Sequence, residues 1–251
     1  MVAVKSNQEL IKMRAAGRLA ARVLDFIEPR IKPGISTGKI DELCHDFIIK
    51  QGATPAPLNY KGFPKSVCTS VNDTVCHGIP SYEQVLDSGD IVNVDITVIW
   101  EGYHGDTSKT FGVGRISEET GLLISRTEEA MYEGIKAIKP GSYLYKVGLA
   151  IEKFVETFGY GVVQDYGGHG IGRKFHEYPD VFHFYTPENK IKLEKGMTFT
   201  VEPMINQGGS PEVITSPEDG WTVKTKDKSL SAQFEHTVAV TNSGYKILTL
   251  L

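Results

Sequence analysis

The chain has 251 residues, of which 40% are hydrophobic and 23% are charged, as in a globular protein large enough to bury a full core. Its formal net charge of −4 argues against a uniformly basic surface for nucleic acid or anionic lipid. Three cysteines without a C-x-x-C pair, and no apolar run of signal or membrane-span length, predict a cytoplasmic protein that does not associate with membranes.

Signals for helices and strands alternate along the chain. Ser6 and Glu9 have the spacing of a capping box, which marks the start of a first helix, and Pro29 marks its end. The alternation of apolar and polar residues around Asp95 predicts a strand. The further predicted helices cover residues 36–50, 117–139 and 143–158, and the predicted strands cover residues 92–98, 106–113, 197–206 and 232–241.

The second half of the chain repeats features of the first. Ile31–Gly34 and Ile138–Gly141 both read Ile-Lys-Pro-Gly, and each precedes a predicted helix. The offset between these two segments also aligns Asp95 with Glu202. Chance produces short matches of this kind, but their shared order favours an internal duplication. We therefore predict one α/β domain with two similar halves and a site between them.

Asp95 and Asp106 are predicted to lie on adjacent strands of a hairpin. With a turn at residues 100–101, the two carboxylates would be directly opposite each other, with Cβ atoms about 4.5–5.5 Å apart. Opposed like charges destabilise a sheet unless a cation lies between them, and the nearby Asn93 and Thr97 are neutral. A solvated hairpin is the alternative, but the apolar opposite face of the strand favours a covered pair that binds a divalent metal ion.

Glu202 and Glu235 lie in two further strand-like segments. Glu202 shares a predicted strand face with Thr200, and Glu235 shares one with Gln233. Acidic residues in such segments are costly to bury unless they are paired or bind a metal. Four carboxylates and an imidazole suit two divalent ions about 3.5–4 Å apart, which can activate water and polarise a carbonyl group.

The histidines differ in their sequence context. His169 lies in a Gly-Gly-His-Gly-Ile-Gly segment, whose glycines permit the tight bend that presents a ligand. His77 and His176 also lie in loop-like segments. A single histidine in a loop is more often a surface residue than a ligand, but three, two of them in repeated Gly-flanked contexts, favour a functional role. His45, on a predicted helix, and His104, in the predicted hairpin turn, are interpreted as structural or surface residues.

Several segments resemble type I methionine aminopeptidases of the bacterial kind, in peptidase family M24. The resemblance covers nearly the whole chain, and its motifs together are highly specific. They are the segments 59–68 (NYKGFPKSVC), 75–80 (VCHGIP), 93–95 (NVD), 104–109 (HGDTSK), 167–172 (GGHGIG), 200–203 (TVEP), 219–222 (DGWT) and 233–236 (QFEH). The interval between His176 and Phe234 is too short for the helical insertion of type II relatives.

The resemblance implies the pita-bread fold, an α/β (α+β) architecture in which helices cover a central antiparallel sheet. That fold has two pseudo-symmetric halves, in agreement with the repeat. We therefore expect a single catalytic domain over residues 1–251, with halves of roughly 1–114 and 115–251.

The resemblance also assigns metal ligands. The matching residues are Asp95, Asp106, His169, Glu202 and Glu235. By resemblance, Asp106 and Glu235 bridge two divalent ions. Asp95 completes the site of one ion, while His169 and Glu202 complete the other. A carboxylate-rich set of this kind admits Fe²⁺, Mn²⁺, Co²⁺ and Zn²⁺.

The implied catalytic residues are His77, His176 and Glu202. Glu202 carries a proton from the attacking water to the leaving amine. His77 contacts the scissile amide nitrogen, and His176 contacts the carbonyl oxygen as negative charge develops on it.

The implied substrate-binding residues are His77, His176, Tyr60, Phe63, Cys68, Phe175 and Trp221. Aromatic rings and a thiol form a soft apolar slot suited to a thioether, although some of these residues could equally belong to the core. Pro57 stands where relatives often carry cysteine or a small residue, so the rim of the pocket is expected to differ. Asn72 and Ser231 match positions that help to hold a monovalent cation, Na⁺ or K⁺, in relatives.

The implied function is removal of the initiator methionine from nascent proteins when the second residue is small. Proline-specific aminopeptidases and prolidases share the five ligands but normally carry an additional N-terminal domain. Creatine-type hydrolysis on the same fold is disfavoured for the same reasons as the prolidase reading. A non-catalytic pita-bread binding protein is a further alternative, although such relatives usually lose ligands.

We expect a monomer that meets nascent polypeptides at the ribosome, near the tunnel exit. Six lysines in two predicted loops are candidates for a contact with ribosomal RNA, unless they are ordinary solvated residues: Lys190, Lys192, Lys195, Lys224, Lys226 and Lys228.

Overall fold

A computed structural model describes residues 2–251 of the chain. The helices are α1 (Asn7–Ile27), α2 (Thr37–Lys50), α3 (Glu118–Lys136) and α4 (Tyr145–Glu156), with short 3₁₀ turns at Glu28–Arg30 and Tyr60–Gly62. The strands are β1 (Thr54–Pro55), β2 (Cys68–Val71), β3 (Thr74–Cys76), β4 (Ile91–Trp100), β5 (Tyr103–Gly112), β6 (Gly161–Val162), β7 (Gly168–Gly170), β8 (Glu177–Val181), β9 (Thr198–Val201), β10 (Met204–Asn206), β11 (Val213–Thr215), β12 (Val223–Thr225), β13 (Ser231–Gln233), β14 (Glu235–Val240) and β15 (Tyr245–Ile247).

The capping signals in the sequence locate the starts of the helices. Ser6 Oγ accepts a hydrogen bond from the Glu9 amide, and the Glu9 carboxylate accepts one from the Ser6 amide at 2.9 Å. This is the predicted capping box, and Pro29 lies in the 3₁₀ turn that ends α1. The four predicted helices are confirmed, with ends that differ by at most three residues.

The β4–β5 hairpin has a different register from the predicted one. Its two-residue turn is Glu101–Gly102, where φ is 49° and 78°, as a tight hairpin with the twist of its strands requires. Asp106 therefore pairs with Thr97, and Asp95 pairs with Ser108. The prediction that Asp95 and Asp106 are directly opposite is wrong, because the turn lies one residue further along the chain. They are diagonal neighbours on the same face of the sheet.

A nine-stranded antiparallel sheet organises the fold, as predicted. Its strand order is β1-β4-β5-β14-β9-β7-β8, with β2 pairing with β4 and β15 with β14. One face of β4 carries Val92, Val94 and Ile96, which pack against α1 and α2. The polar residues of β4 lie on the other face, where the candidate site forms.

The two predicted strands of the second half are each interrupted. The segment 197–206 forms β9 and β10, separated by Glu202 and Pro203, and the segment 232–241 forms β13 and β14, separated by Phe234. Proline cannot donate a backbone hydrogen bond to a sheet ladder, so the break at Pro203 is built into the sequence. Helices α3 and α4 cover the apolar face of these strands.

Backbone hydrogen bonds recur at the offset of the sequence repeat. The amide of Gly34 donates to Leu86 O at 2.8 Å, and the amide of Gly141, at the matching place in the second half, donates to Leu193 O at 2.8 Å. The β1–β4 pairing likewise recurs as the β6–β10 pairing with the same shift. These matches support the duplication, while the division at about residue 114 stays a prediction.

No helix among residues 2–251 is both long enough and apolar enough to cross a membrane.

Candidate metal centre and substrate cavity

Five strands of the sheet, or their ends, carry the five predicted metal ligands. They are Asp95 on β4, Asp106 on β5, Glu235 on β14, Glu202 directly after β9, and His169 on β7. These strands are consecutive neighbours in the sheet, in the order β4-β5-β14-β9-β7. The structure therefore brings together side chains from both halves of the sequence.

The side-chain oxygen and nitrogen atoms of these five residues lie close together. Carboxylate oxygens of Asp95, Asp106 and Glu235 all lie within 4.8 Å of one another. His169 Nε2 lies 3.7 Å from Asp106 Oδ2 and 3.8 Å from Glu202 Oε1. Four of the five side chains are buried and Asp95 is partly buried, so this is an enclosed group of acids with one imidazole at its edge.

Neighbouring side chains orient the cluster. Thr97 Oγ1 donates to Asp106 Oδ1 at 2.6 Å, and Thr200 Oγ1 donates to Glu202 Oε1 at 2.6 Å. His169 Nδ1 lies 3.0 Å from the carbonyl oxygen of Gly170. Because a carbonyl only accepts, Nδ1 carries the proton, and the lone pair of Nε2 points to the acids. The sequence indicates only that Thr97 is neutral and that Thr200 shares a strand face with Glu202, and nothing in it marks their orienting contacts.

The electrostatics of the cluster are unfavourable without a cation. Burial raises the pKa of Asp95 to about 7 and the pKa of Glu202 to about 8. The pKa values of Asp106 and Glu235 are raised well above their usual range, first by burial and then by the neighbouring carboxylates. Burial also lowers the pKa of His169 to about 4, so the imidazole is neutral at neutral pH and can act as a ligand.

The donor set fits divalent metal ions. Asp95 Oδ1 and Glu235 Oε1 are buried and have no hydrogen-bond partner in the described part of the chain. Buried carboxylate oxygens without partners are costly, and a metal ion would satisfy both. Oxygen-rich ligands with one imidazole suit the divalent metals of hydrolases. Residues 2–251 thus contain a carboxylate cluster that fits the metal chemistry of the predicted enzyme.

The two other predicted catalytic histidines flank the cluster. The ring centroid of His176 lies 4.0 Å from that of His169, and the His77 ring packs edge-on against Tyr166 at 5.5 Å. Burial lowers the pKa of His77 to about 4, and burial together with His169 lowers the pKa of His176 to about 3. Both imidazoles are therefore neutral at neutral pH, and each can accept one hydrogen bond and donate another.

A cavity of about 310 Å³ opens directly onto the cluster. All five predicted ligands, both histidines and all five predicted methionine-pocket residues line it, as does Pro57. Phe63 and Trp221 pack edge to face at 5.2 Å, and Tyr60 packs against Phe175 at 4.9 Å. The cavity has further lining residues that were not predicted, among them Lys61, Cys76, Asp165, Tyr166, Met204 and Gln233.

Other sequence candidates lie outside the cavity. His104 is a buried residue of β5, not a residue of the hairpin turn, and its ring stacks on Phe175 at 5.8 Å. The prediction that it is structural is thus confirmed. Asn72 and Ser231 do meet, because the Ser231 amide donates to Asn72 O at 2.9 Å. The binding of a monovalent cation there stays a prediction.

Comparisons with known proteins agree with this geometry. The model of metallopeptidase family M24 matches residues 11–242. The methionine aminopeptidase of Escherichia coli strain K12 is 53% identical over 250 residues, covering 99% of this chain and 94% of that protein. The crystal structure of methionine aminopeptidase from Rickettsia prowazekii has a TM-score of 0.97 and 51% identity, with 100% of both chains covered.

More distant structures share only the fold. A Xaa-Pro dipeptidase from Bacillus anthracis has a TM-score of 0.78 at 24% identity, and this chain covers 62% of its length. The full-length matches at high identity favour the methionine aminopeptidases over the proline-specific alternative, and they confirm the predicted pita-bread architecture. The chain belongs to metallopeptidase family M24 and, within that family, to the methionine aminopeptidases.

Proposed function

We propose that this protein removes the N-terminal methionine from new polypeptides whose second residue is small. The observation that carries the proposal is one cavity in which an acidic cluster and two neutral histidines meet a slot of aromatic side chains. The cluster supplies ligands for metal-assisted hydrolysis. The slot supplies the apolar surroundings of an unbranched thioether side chain.

Two divalent ions would be held by the five residues of the cluster. Asp95, Asp106, Glu202 and Glu235 would supply oxygen ligands, and His169 would supply a nitrogen ligand. When bound, the ions supply Lewis-acid polarisation of the scissile carbonyl and activation of a water molecule. Fe²⁺, Mn²⁺, Co²⁺ and Zn²⁺ are all compatible with this donor set.

Glu202 is proposed to move the proton. Its Oε1 accepts a hydrogen bond from Thr200 Oγ1 at 2.6 Å, and its Oε2 accepts one from Gln233 Nε2 at 3.3 Å. A carboxylate held in this way lines the cavity beside the other acids, and carboxylates commonly take up and release protons in hydrolysis. Glu202 would therefore take the proton of the attacking water and deliver it to the leaving amine.

The neutral histidines are proposed to hold the peptide bond. An amide N–H only donates, so His77 would accept from the scissile amide through its unprotonated ring nitrogen. His176 would donate to the carbonyl oxygen, where negative charge develops. His176 stacks with Tyr60 at 5.3 Å between ring centroids, which restricts the direction of its N–H.

The methionine side chain would enter the slot formed by Tyr60, Phe63, Cys68, Phe175 and Trp221. Burial, and then the carboxylate of Asp95, raise the pKa of the Cys68 thiol well above its usual value. Cys68 is therefore a neutral, polarisable wall of the slot and not a nucleophile. Sulfur and aromatic rings attract a thioether weakly, at about 0.3–1.5 kcal/mol for each contact.

A peptide panel tests the activity and its specificity. The protein loaded with Co²⁺, Mn²⁺ or Fe²⁺ is expected to cleave peptides that begin Met-Ala, Met-Gly or Met-Ser and to spare Met-Lys and Met-Leu. Peptides that begin Leu-Ala, together with Xaa-Pro dipeptides, form the matched controls. Efficient release of residues other than methionine would contradict the proposal and favour a proline-specific or general peptidase. No turnover with any metal would favour a binding protein.

The proposed setting is the cytoplasm, where a monomer would meet nascent chains at the ribosome. The six candidate lysines are all exposed. Lys224 and Lys226 form surface ion pairs with Asp73 and Glu212, which leaves less positive charge free in that group than in Lys190, Lys192 and Lys195. Salt-sensitive pelleting with ribosomes is expected, and charge reversal of the responsible group should abolish it. Pelleting that is unchanged by reversal of both groups would exclude this contact.

A further inference from the structure

His183 is a buried histidine that touches the candidate metal centre from outside the cavity. It follows β8 and is only 1% exposed, and it is not among the residues that line the cavity. Its Nε2 lies 3.1 Å from the backbone nitrogen of Glu202 and accepts the hydrogen bond from that amide. His183 therefore meets the proposed proton carrier on its main chain, whereas Thr200 and Gln233 meet it on the carboxylate.

The Glu202 amide needs such a partner. The pairing of β9 with β14 ends at Val201 and His236. The amide of Glu202, the next residue, therefore has no acceptor within this pairing. Pro203 follows and has no N–H to offer. A buried amide without an acceptor costs about 1–3 kcal/mol. His183 Nε2 supplies the acceptor at the point where the strand breaks and the chain must turn its ligand toward the cavity.

This contact fixes the state of the imidazole. A nitrogen that accepts from an amide carries no proton, so the proton of neutral His183 is on Nδ1. Nδ1 is buried and has no hydrogen-bond partner within the described residues. The imidazole thus leaves one polar atom unsatisfied while it satisfies the amide of Glu202. A side chain selected only for packing would carry neither polar atom.

We propose that His183 is a positioning residue, which holds the backbone of Glu202 so that its carboxylate faces both the metal cluster and the scissile bond. The proposal rests on the proposed function for its catalytic part and on the hydrogen bond alone for its structural part. Outer partners of metal ligands commonly contribute about 10–100-fold to metal affinity or activity. Loss of the acceptor should therefore lower both.

Three substitutions separate the acceptor from the bulk of the side chain. In His183→Gln the amide oxygen can reach the place of Nε2, whereas in His183→Asn the side chain is too short and its amide lies near the place of Nδ1. His183→Leu keeps similar volume without any acceptor. The measurements are kcat and KM on a Met-Ala peptide, Mn²⁺ affinity by calorimetry in the absence of peptide, and Tm after removal of metal.

The expected result is a split between acceptor and non-acceptor variants. His183→Gln should stay within about threefold of the wild-type protein, while His183→Asn and His183→Leu should lose about 10-fold or more in kcat and in Mn²⁺ affinity, with little change in KM. If His183→Leu does not fold, the comparison of His183→Gln with His183→Asn decides. Equal kcat and equal Mn²⁺ affinity in the acceptor and non-acceptor variants, whether normal or reduced, would overturn the proposal. Absence of aminopeptidase activity in the wild-type protein would instead reject the proposed function, and the Mn²⁺ affinities would still test His183.

Discussion

Glu202 combines three contacts that a surface glutamate does not have. Its two carboxylate oxygens accept hydrogen bonds from Thr200 and Gln233, and its amide donates to His183. In the absence of a metal ion, burial raises its pKa to about 8. These contacts support a role in proton transfer in addition to metal binding.

Glu202→Gln should lower kcat at least about 10²-fold, the range for loss of a general acid–base group. The amide has nearly the same shape as the carboxylate but cannot carry the proton. Steady-state kinetics on a Met-Ala peptide measure the effect, with the exposed Glu188 replaced by glutamine as the control. Near-normal turnover in Glu202→Gln, at full metal loading, would remove Glu202 from the mechanism.

The acidic cluster should make the stability of the metal-free protein depend on pH. In the folded protein the pKa values of Asp95 and Glu202 are about 7 and 8, whereas in the unfolded chain they are about 4. The folded state therefore binds more protons, and stability that is fully present below the unfolded pKa is lost as the pH rises through the folded values. The buried histidines have lowered pKa values, so they act only below about pH 6.5.

The free energy of unfolding of chelated protein should thus fall between pH 6.5 and pH 8. This window avoids the histidines on one side and the thiols on the other. Urea unfolding at several pH values measures it, and the same series with saturating Mn²⁺ is the control, in which the ionised ligands should keep the curve nearly flat. A metal-free protein that gains stability across this window would contradict the proposed environment of the carboxylates.

At the scale of elements, α1 lies unusually close to the β4–β5 hairpin. A Cβ atom added to Gly105 of β5 would come within 2.3 Å of the backbone nitrogen of Gly17 and within 2.4 Å of the carbonyl carbon of Ala16. Both contacts are with backbone atoms, which cannot rotate away. Gly105 therefore sets the distance between the helix and the strand that carries Asp106.

Gly105→Ala should destabilise the protein by about 2 kcal/mol, because the helix must move or the strand must bend. Gly121→Ala in α3 is the matched control, since the nearest atom to its added Cβ is 3.9 Å away. Removing a glycine from a helix should stabilise the protein by about 0.5–1 kcal/mol. Thermal unfolding of both variants measures the contrast, and an equal Tm shift in both would reject the close approach as its cause.

At the scale of the whole molecule, the N-terminal segment is tied to the far half of the chain. Lys5 Nζ lies 2.6 Å from Glu177 Oε2 with both side chains largely buried, and the Lys5 amide donates to Gly196 O. Glu177 directly follows His176 and also accepts from the Lys174 amide. The ion pair therefore fixes the loop that carries His176 and Phe175 into the cavity.

Lys5→Met should leave the Glu177 charge buried and unpaired, at a cost of about 3 kcal/mol, and should lower kcat by displacing His176. Lys12→Met is the control, because its ion pair with Glu101 is exposed and such pairs contribute less than about 1 kcal/mol. Chemical unfolding and peptide kinetics on both variants measure the two effects. If the Lys5 and Lys12 variants have the same free energy of unfolding and the same kcat, the Lys5–Glu177 ion pair does not support the site.

The two predicted halves of the chain meet at the acidic cluster. Strands β5 and β14, one from each predicted half, pair through Ser108 and Glu235. Residues of the acidic cluster lie on both strands. Asp95 and Glu202 occupy matching places in the sequence repeat, so each predicted half carries one of these two carboxylates. We propose on this basis that residues 1–251 act as one catalytic domain, since neither half contains the complete cluster.

Much of this arrangement could be predicted from local chemistry. The capping box at Ser6 and the alternation around Asp95 are properties of short segments and were predicted from them. The break at Pro203 is equally local, but the predicted strand 197–206 ran through it. The eight motifs taken together, those around His169 and Glu235 among them, were specific enough to indicate the family, and the resemblance named the five candidate ligands.

Other features depended on distances that no short segment contains. The hairpin register followed from positive φ at Glu101 and Gly102, and the predicted turn was one residue away, so the relation between Asp95 and Asp106 was misjudged. The orienting roles of Thr97 and Thr200 needed the actual strand pairing.

The sequence by itself determined the class of fold and named the candidate residues of the site, because side-chain identity and strand periodicity are local. Only the tertiary structure decided which atoms meet. It brought the five predicted ligands from consecutive strands close together, left two carboxylate oxygens without partners and placed His183 behind Glu202. Such contacts join residues far apart in the chain, and only packing of the whole sheet fixes their distances.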